Sequence, residues 1–178
     1  MLFDSVAKTL RQHHGVEHAT VSLLTQRVPG VRVMAHSDLA GFTVVGDVDT
    51  ATLQAMVEEA LARLQRGEKG LAVHPNCGTN LVTAGALAGL SALLLASGRN
   101  RSWWDRLPSA ILGATLALIV AGPAGYWMQA NVTTSADVPG LRVEAVYRVE
   151  GGPVTRHRVI LGRTGRPSRQ ARFGRSSE

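Results

Sequence analysis

Cysteine is almost absent. Cys77 stands alone among 178 residues, which excludes an intramolecular disulfide framework and permits a reducing compartment. Aromatic residues make up only 4% and charged residues only 18%, against 45% hydrophobic residues. That balance disfavours both a disordered chain and an ordinary soluble globule. Charge is missing altogether from Gly70 to Gly98 and from Leu107 to Ala136, runs of 29 and 30 residues. The length suits about one domain and excludes two independent enzyme domains.

The charges that are present fall at the ends. Residues 1–69 carry seven Lys/Arg and eight Asp/Glu, residues 137–178 nine Arg and four acids, and only Arg99, Arg101, Asp105 and Arg106 lie between the uncharged runs. The pattern predicts an α+β membrane protein with six parts. These are a cytoplasmic head over 1–78, a transmembrane helix over 79–98, a polar loop over 99–107, a second transmembrane helix over 108–130, a β-hairpin over 131–161 that returns to the head, and a disordered Arg-rich tail over 162–178. Each apolar run reaches the roughly 20 residues that a hydrocarbon core needs, and a backbone in lipid must satisfy its own hydrogen bonds. Trp103 and Trp104 precede the second run and Tyr126 and Trp127 end it, where interfacial aromatics sit. Small residues at four-residue spacing (Gly85 and Gly89; Ala84, Ala88 and Ala92; Gly113, Ala117 and Ala121) suit close packing of the two helices or homo-oligomerisation. Pro123 is expected to kink or fray the end of the second helix.

Met1 to Gln12 lacks the apolar core of a secretory signal, so the head is expected to stay in the cytoplasm. Arg63, Arg66 and Lys69 before the first span, with Arg142 and Arg148 after the second, outnumber the loop arginines. Both termini are therefore expected on the cytoplasmic side of the plasma membrane. Arginines at 163, 166, 169, 172 and 175 suit attraction of the tail to anionic lipid. A nucleic-acid partner is disfavoured, because in the tail only Phe173 could stack on a base.

Within the head, Ser5 to about Val28 reads as a helix with Val6, Leu10, Val21, Leu24 and Val28 on one stripe, stopped by Pro29-Gly30. Val31–Ala35 and Gly41–Val45 read as a β-hairpin joined by the turn-like His36-Ser37-Asp38. Asp49 or Thr50 caps a second helix with Leu53, Met56, Val57, Ala60, Leu61 and Leu64 at core spacing, ending near Gly67. In the tail, Leu141, Val143, Ala145, Tyr147 and Val149 alternate with charged residues, then Gly151-Gly152-Pro153 turns into Val154–Leu161, with His157 on the inward face.

Two motifs carry chemistry. His14-Gly15-Val16-Glu17-His18 places two imidazoles four residues apart on one helix, within reach of one metal ion, with Glu17 beside them to act as a base. His74-Pro75-Asn76-Cys77-Gly78-Thr79-Asn80 adds His-x-x-Cys spacing just before the first apolar run. His14, His18, His74 and Cys77 then make a tetrahedral Zn2+ set: four ligands give a structural site, three leave room for water and hydrolysis. Two other readings stay open for the second motif: a thiol activated at a helix N-terminus, or a turn capped by Thr79 or Asn80.

The His-x-x-Glu-His run resembles that of the inverzincin peptidases, although no acid stands out as their distant third ligand. The two motifs, with Ser37-Asp38, Gly41-Phe42 and Gly67-Glu68, also resemble an uncharacterised bacterial family of small membrane proteins, defined only as a domain of unknown function, over roughly residues 10–130. The paired signatures recur in another uncharacterised bacterial membrane family. The resemblance implies that the two motifs belong together in one metal site. A metal-dependent hydrolase and a non-catalytic membrane scaffold or assembly protein with structural His/Cys motifs are the two functions this sequence supports.

Overall fold

The computed structural model describes residues 2–97 and 102–165. The tail beyond Gly165 and the charged link around Arg99 and Arg101 lie outside the described residues. The fold is mixed α+β, and it divides into two compact units: residues 1–74 with 134–178, and residues 75–133.

The first unit opens with α1 (Leu2–Arg27), a helix three residues longer at its start than its periodicity predicts. It continues with β1 (Val33–Asp38), β2 (Gly41–Gly46), α2 (Thr50–Gln65) and a 3-10 turn at Lys69–Ala72. The chain re-enters this unit as β3 (Leu141–Val149) and β4 (Arg156–Arg163). The two antiparallel hairpins join into one sheet of order β1-β2-β4-β3, because β4 pairs with β2, Val44 opposite His157. The returning hairpin expected from the alternation therefore exists and completes the sheet.

Helices α1 and α2 cover one face of that sheet. Phe42 and Val44 of β2 and Val159 and Leu161 of β4 meet Val16, Ala19 and Leu23 of α1 and Leu53, Val57 and Leu64 of α2. Each of these buried Val, Leu and Phe side chains contributes about 1.5–3 kcal/mol. The whole predicted apolar stripe of α2 is buried, and Asp49 caps the helix by accepting from the Thr52 amide at 2.8 Å. The stripe predicted for α1 is shifted. Val6 and Leu10 are exposed, while Val16, Ala19 and Leu23 join Leu24 in the core.

Two further predictions fail for local reasons. His36, Ser37 and Asp38 are not the turn but the end of β1, which pairs Ser37 with Phe42 and leaves Leu39-Ala40 to reverse the chain. The strict alternation of β3 breaks at a bulge between Val143 and Ala145. One extra residue flips the inward face, so Val146 opposes Val159 and packs on the core, while Tyr147 is exposed.

The second unit holds α3 (Gly78–Ala96), α4 (Trp103–Met128) and a π-helical turn at Gln129–Thr133. Both helices are long and apolar enough to cross a membrane, judged by length and composition. Pro123 does not end α4, which runs on to Met128. The helices pack through the small residues of α4: Gly113, Ala121 and Gly125 are buried at spacings of eight and four residues. A Cβ on Gly113 would lie 2.9 Å from the Ser91 carbonyl oxygen and 2.8 Å from the Leu95 side chain, so only glycine permits this approach. Gly85 and Gly89 face away from α4 with open space beside them. The outer surfaces are apolar, with Leu81, Leu94 and Ile119 at least 70% exposed.

Candidate metal centre

The helical repeat of α1 sorts its four polar motif residues into two neighbouring pairs. His14 and His18 form one. Their rings meet edge-on with centroids 4.3 Å apart, and a donor nitrogen of each lies within 4.8 Å of the other. The buried His18 ring places Nδ1 2.9 Å from the Ala72 carbonyl oxygen at the end of the 3-10 turn. A carbonyl oxygen only accepts, so Nδ1 carries the proton and Nε2 the lone pair, the arrangement that orients a metal-binding imidazole. The His74 ring centroid lies 6.1 Å from that of His18, which brings the third histidine of the predicted set to the same end of the unit.

His13 and Glu17 form the other pair, turned toward β1. His13 Nδ1 donates to the Asp38 carbonyl oxygen at 2.8 Å, and the Ser37 hydroxyl donates to the Glu17 carboxylate, which is 5% exposed. The sequence alone did not rank His13 against His14; the geometry pairs His14 with His18. Burial works against ionisation of Asp38, yet its carboxylate stays below the usual 3.8 because Arg158 donates to it at 2.7 Å and the Ala40 and Gly41 amides also donate. Ser37 is the site residue that sequence reasoning missed. Reading His36-Ser37-Asp38 as strand would have placed Ser37 on the inward face with Val33 and Ala35, opposite the helix that carries Glu17.

Cys77 belongs to the second unit, where it is the N-cap of α3. Its sulfur accepts from the Thr79 amide at 3.4 Å. The cap is thus the cysteine itself, not Thr79 or Asn80. Within the first unit, His14 and His18 offer a metal ion two neighbouring imidazoles. Thr79 and Asn80 have other work. Thr79 donates to Thr133 at 3.3 Å, and Asn80 accepts from Gln129 at 2.6 Å.

His157 is the core histidine that its strand position predicts. It is 1% exposed and its Nε2 lies 3.0 Å from the Thr50 hydroxyl. Asp49, in the acidic run 47–49, is accounted for by helix capping.

These features define a mixed α+β domain interrupted by a pair of apolar helices, with a histidine pair on its first helix. The chain belongs to the family described as Domain of unknown function (DUF6391), whose profile matches residues 9–146. It is similar to an uncharacterized protein of Picosynechococcus sp., 36% identical over 140 residues, which cover 71% of this chain and 66% of that one. The chain thus spans just under two thirds of its relative's length. No solved structure matches it.

Proposed function

We propose that this is a membrane protein that crosses the bilayer twice and carries a structural zinc centre on its α+β domain. The observation that carries the metal reading is the His18 ring, whose Nδ1–H is committed to Ala72 so that Nε2 is left as a ligand beside His14. Cys77 follows His74 by three residues, a tether of about 10 Å at full extension, so the chain itself keeps the thiol within reach of the histidines. His14, His18 and Cys77 would hold the ion, with His74 as fourth donor, and four protein ligands close a structural site.

Connectivity supports the double crossing. Because β2 pairs with β4, the segment between them leaves and re-enters one domain, so any passage through a bilayer comes in an even number. The apolar outer faces of α3 and α4 and the aromatics at both ends of α4 fit a lipid environment. The excess of Arg and Lys flanking the two helices favours a cytoplasmic domain at the plasma membrane. The Arg-rich tail then adds affinity for anionic lipid, and the outward Gly85 and Gly89 offer a surface to a second copy.

A second reading, metal-dependent hydrolysis, rests on the His-x-x-Glu-His spacing and requires the Glu17 carboxylate to leave the Ser37 hydroxyl for the metal side of α1. In that reading the metal supplies Lewis acidity and Glu17 takes up a proton.

Elemental analysis of the detergent-purified chain, prepared without a metal-binding tag, tests the proposal. About one zinc per chain is expected. Metal-free protein, under conditions that retain weakly bound ions, would overturn it.

A further inference from the structure

Gln129 is an amide at the end of the second apolar helix. It is completely buried, and it occupies the point where α4 gives way to the π-helical turn. Its Nε2 donates to Asn80 Oδ1 at 2.6 Å, and Asn80 Nδ2 donates in turn to the Pro75 carbonyl oxygen at 2.7 Å. The Asn80 backbone amide donates to the Cys77 carbonyl oxygen at 3.0 Å. The relay therefore starts in the last turn of the helix pair and ends on both sides of the Pro75-Asn76-Cys77 loop. Two features show that the geometry is specific. A Cβ on Gly125 would lie 2.4 Å from Asn80 Oδ1, so glycine is what lets the amide sit against α4. The adjoining π turn, a local departure from regular helix that recurs at functional sites, begins at Gln129 itself.

We propose that Gln129 is a positioning residue that acts through Asn80 to fix the loop presenting Cys77. Neither residue offers a ligand; their amides set where the thiol stands. The fixed amide chain also explains why an asparagine follows Cys77 by three residues. A short amide can accept from Gln129 with its oxygen and donate to the Pro75 carbonyl with its nitrogen. The consequence for a bound ion rests on the metal reading above, whereas the effect on the loop does not. A thiol on a loop freed from the relay would approach an ion in many geometries rather than one, and preorganisation of ligands is what their supporting hydrogen bonds contribute.

Cys77 is the single cysteine, so its alkylation reports on this loop alone. The test uses the detergent-purified full chain, stripped of metal, with iodoacetamide at fixed pH. Gln129→Met, which keeps the volume but cannot donate, and Asn80→Ala are each expected to change the rate about threefold or more, in the same direction. The double variant should change it no further, because both act on one relay. Asn131→Ala, in the same π turn but bonded to the Trp127 carbonyl, should leave the rate unchanged. If Gln129→Met unfolds, as thermal unfolding read in parallel would show, Gln129→Asn, one methylene too short to bridge, takes its place. A wild-type rate in the Gln129 variant, or additive effects in the double variant, would overturn the relay. Added Co2+ provides the second arm: the wild type should show a thiolate-to-cobalt absorption band that Gln129→Met weakens and shifts. A wild type without that band defeats the metal reading, and the alkylation rates still decide the relay.

Discussion

Gly15 lies so close to Ser135 that a methyl group on its Cα would sit 2.2 Å from the Ser135 carbonyl oxygen. The glycine inside the histidine motif is therefore there for packing. It lets the chain leading back toward β3 run directly against α1, where the Ser135 amide donates to the Arg11 carbonyl oxygen at 2.8 Å. Because the obstructing atom is backbone, it cannot rotate away. Gly15→Ala is expected to destabilise the domain by about 2 kcal/mol or more, despite the better helix propensity of alanine. Chemical denaturation with an unchanged midpoint would contradict this.

The two histidine pairs of α1 should separate cleanly. His14→Ala and His18→Ala are expected to lose bound metal, as is Cys77→Ser. His13→Ala should keep the metal while losing the bond to the Asp38 carbonyl, with a stability cost of about 1–2 kcal/mol. Metal content and thermal unfolding of the same preparations check both halves. Loss of metal on replacing His13 alone would refute the pairing.

The two glycine positions of the helix pair are predicted to respond oppositely. Gly113→Leu places a side chain into the Ser91 backbone and should separate α3 from α4. Gly89→Leu adds an apolar group to an outward face and should leave the pair intact. Disulfide trapping between cysteines engineered on the two helices, in a Cys77→Ser background, measures this; equal trapping in both variants would count against the packing.

His157 gives the domain an acid limb. Burial, and then the nearby Arg148, hold its imidazole below the usual 6.5, with Asp49 acting in the opposite sense. The unfolded chain takes up this proton at higher pH than the folded chain does. The stability from the neutral ring is therefore complete above about pH 6.5 and falls as the pH drops below it. The slope cannot exceed about 1.4 kcal/mol per pH unit for one proton. His157→Leu should flatten this limb in denaturation curves taken between pH 5 and 7, and an unaltered slope would assign the limb to other groups.

Much of this arrangement was legible before any coordinates. The apolar spacing of α2, the two apolar runs, the Asp49 cap and the return of a second hairpin all follow from patterns that act over a few residues. Two of the errors share one cause. Reading His36-Ser37-Asp38 as a turn and Tyr147 as inward-facing both assumed the simplest local register, and register is set by partners. β1 gains three residues because β2 pairs with them, and the β3 bulge exists because β4 fixes both sides of it.

The candidate site divides along the same line. His-x-x-Glu-His on a helix was enough to bring His14 and His18 together, because 3.6 residues per turn guarantees that neighbours four apart share a face. Nothing in the motif could say that Ala72 would orient His18, that Ser37 would hold Glu17, or that His13 would turn to β1. The chain by itself determined which segments are helices, which are strands and which are free of charge, since those depend on side-chain chemistry repeated at short range. Tertiary structure alone decided the hydrogen-bond partners of the motif residues and the need for glycine at 15, 113 and 125. Those depend on atoms brought alongside from 20 or more positions away, and such atoms leave no mark on the local pattern.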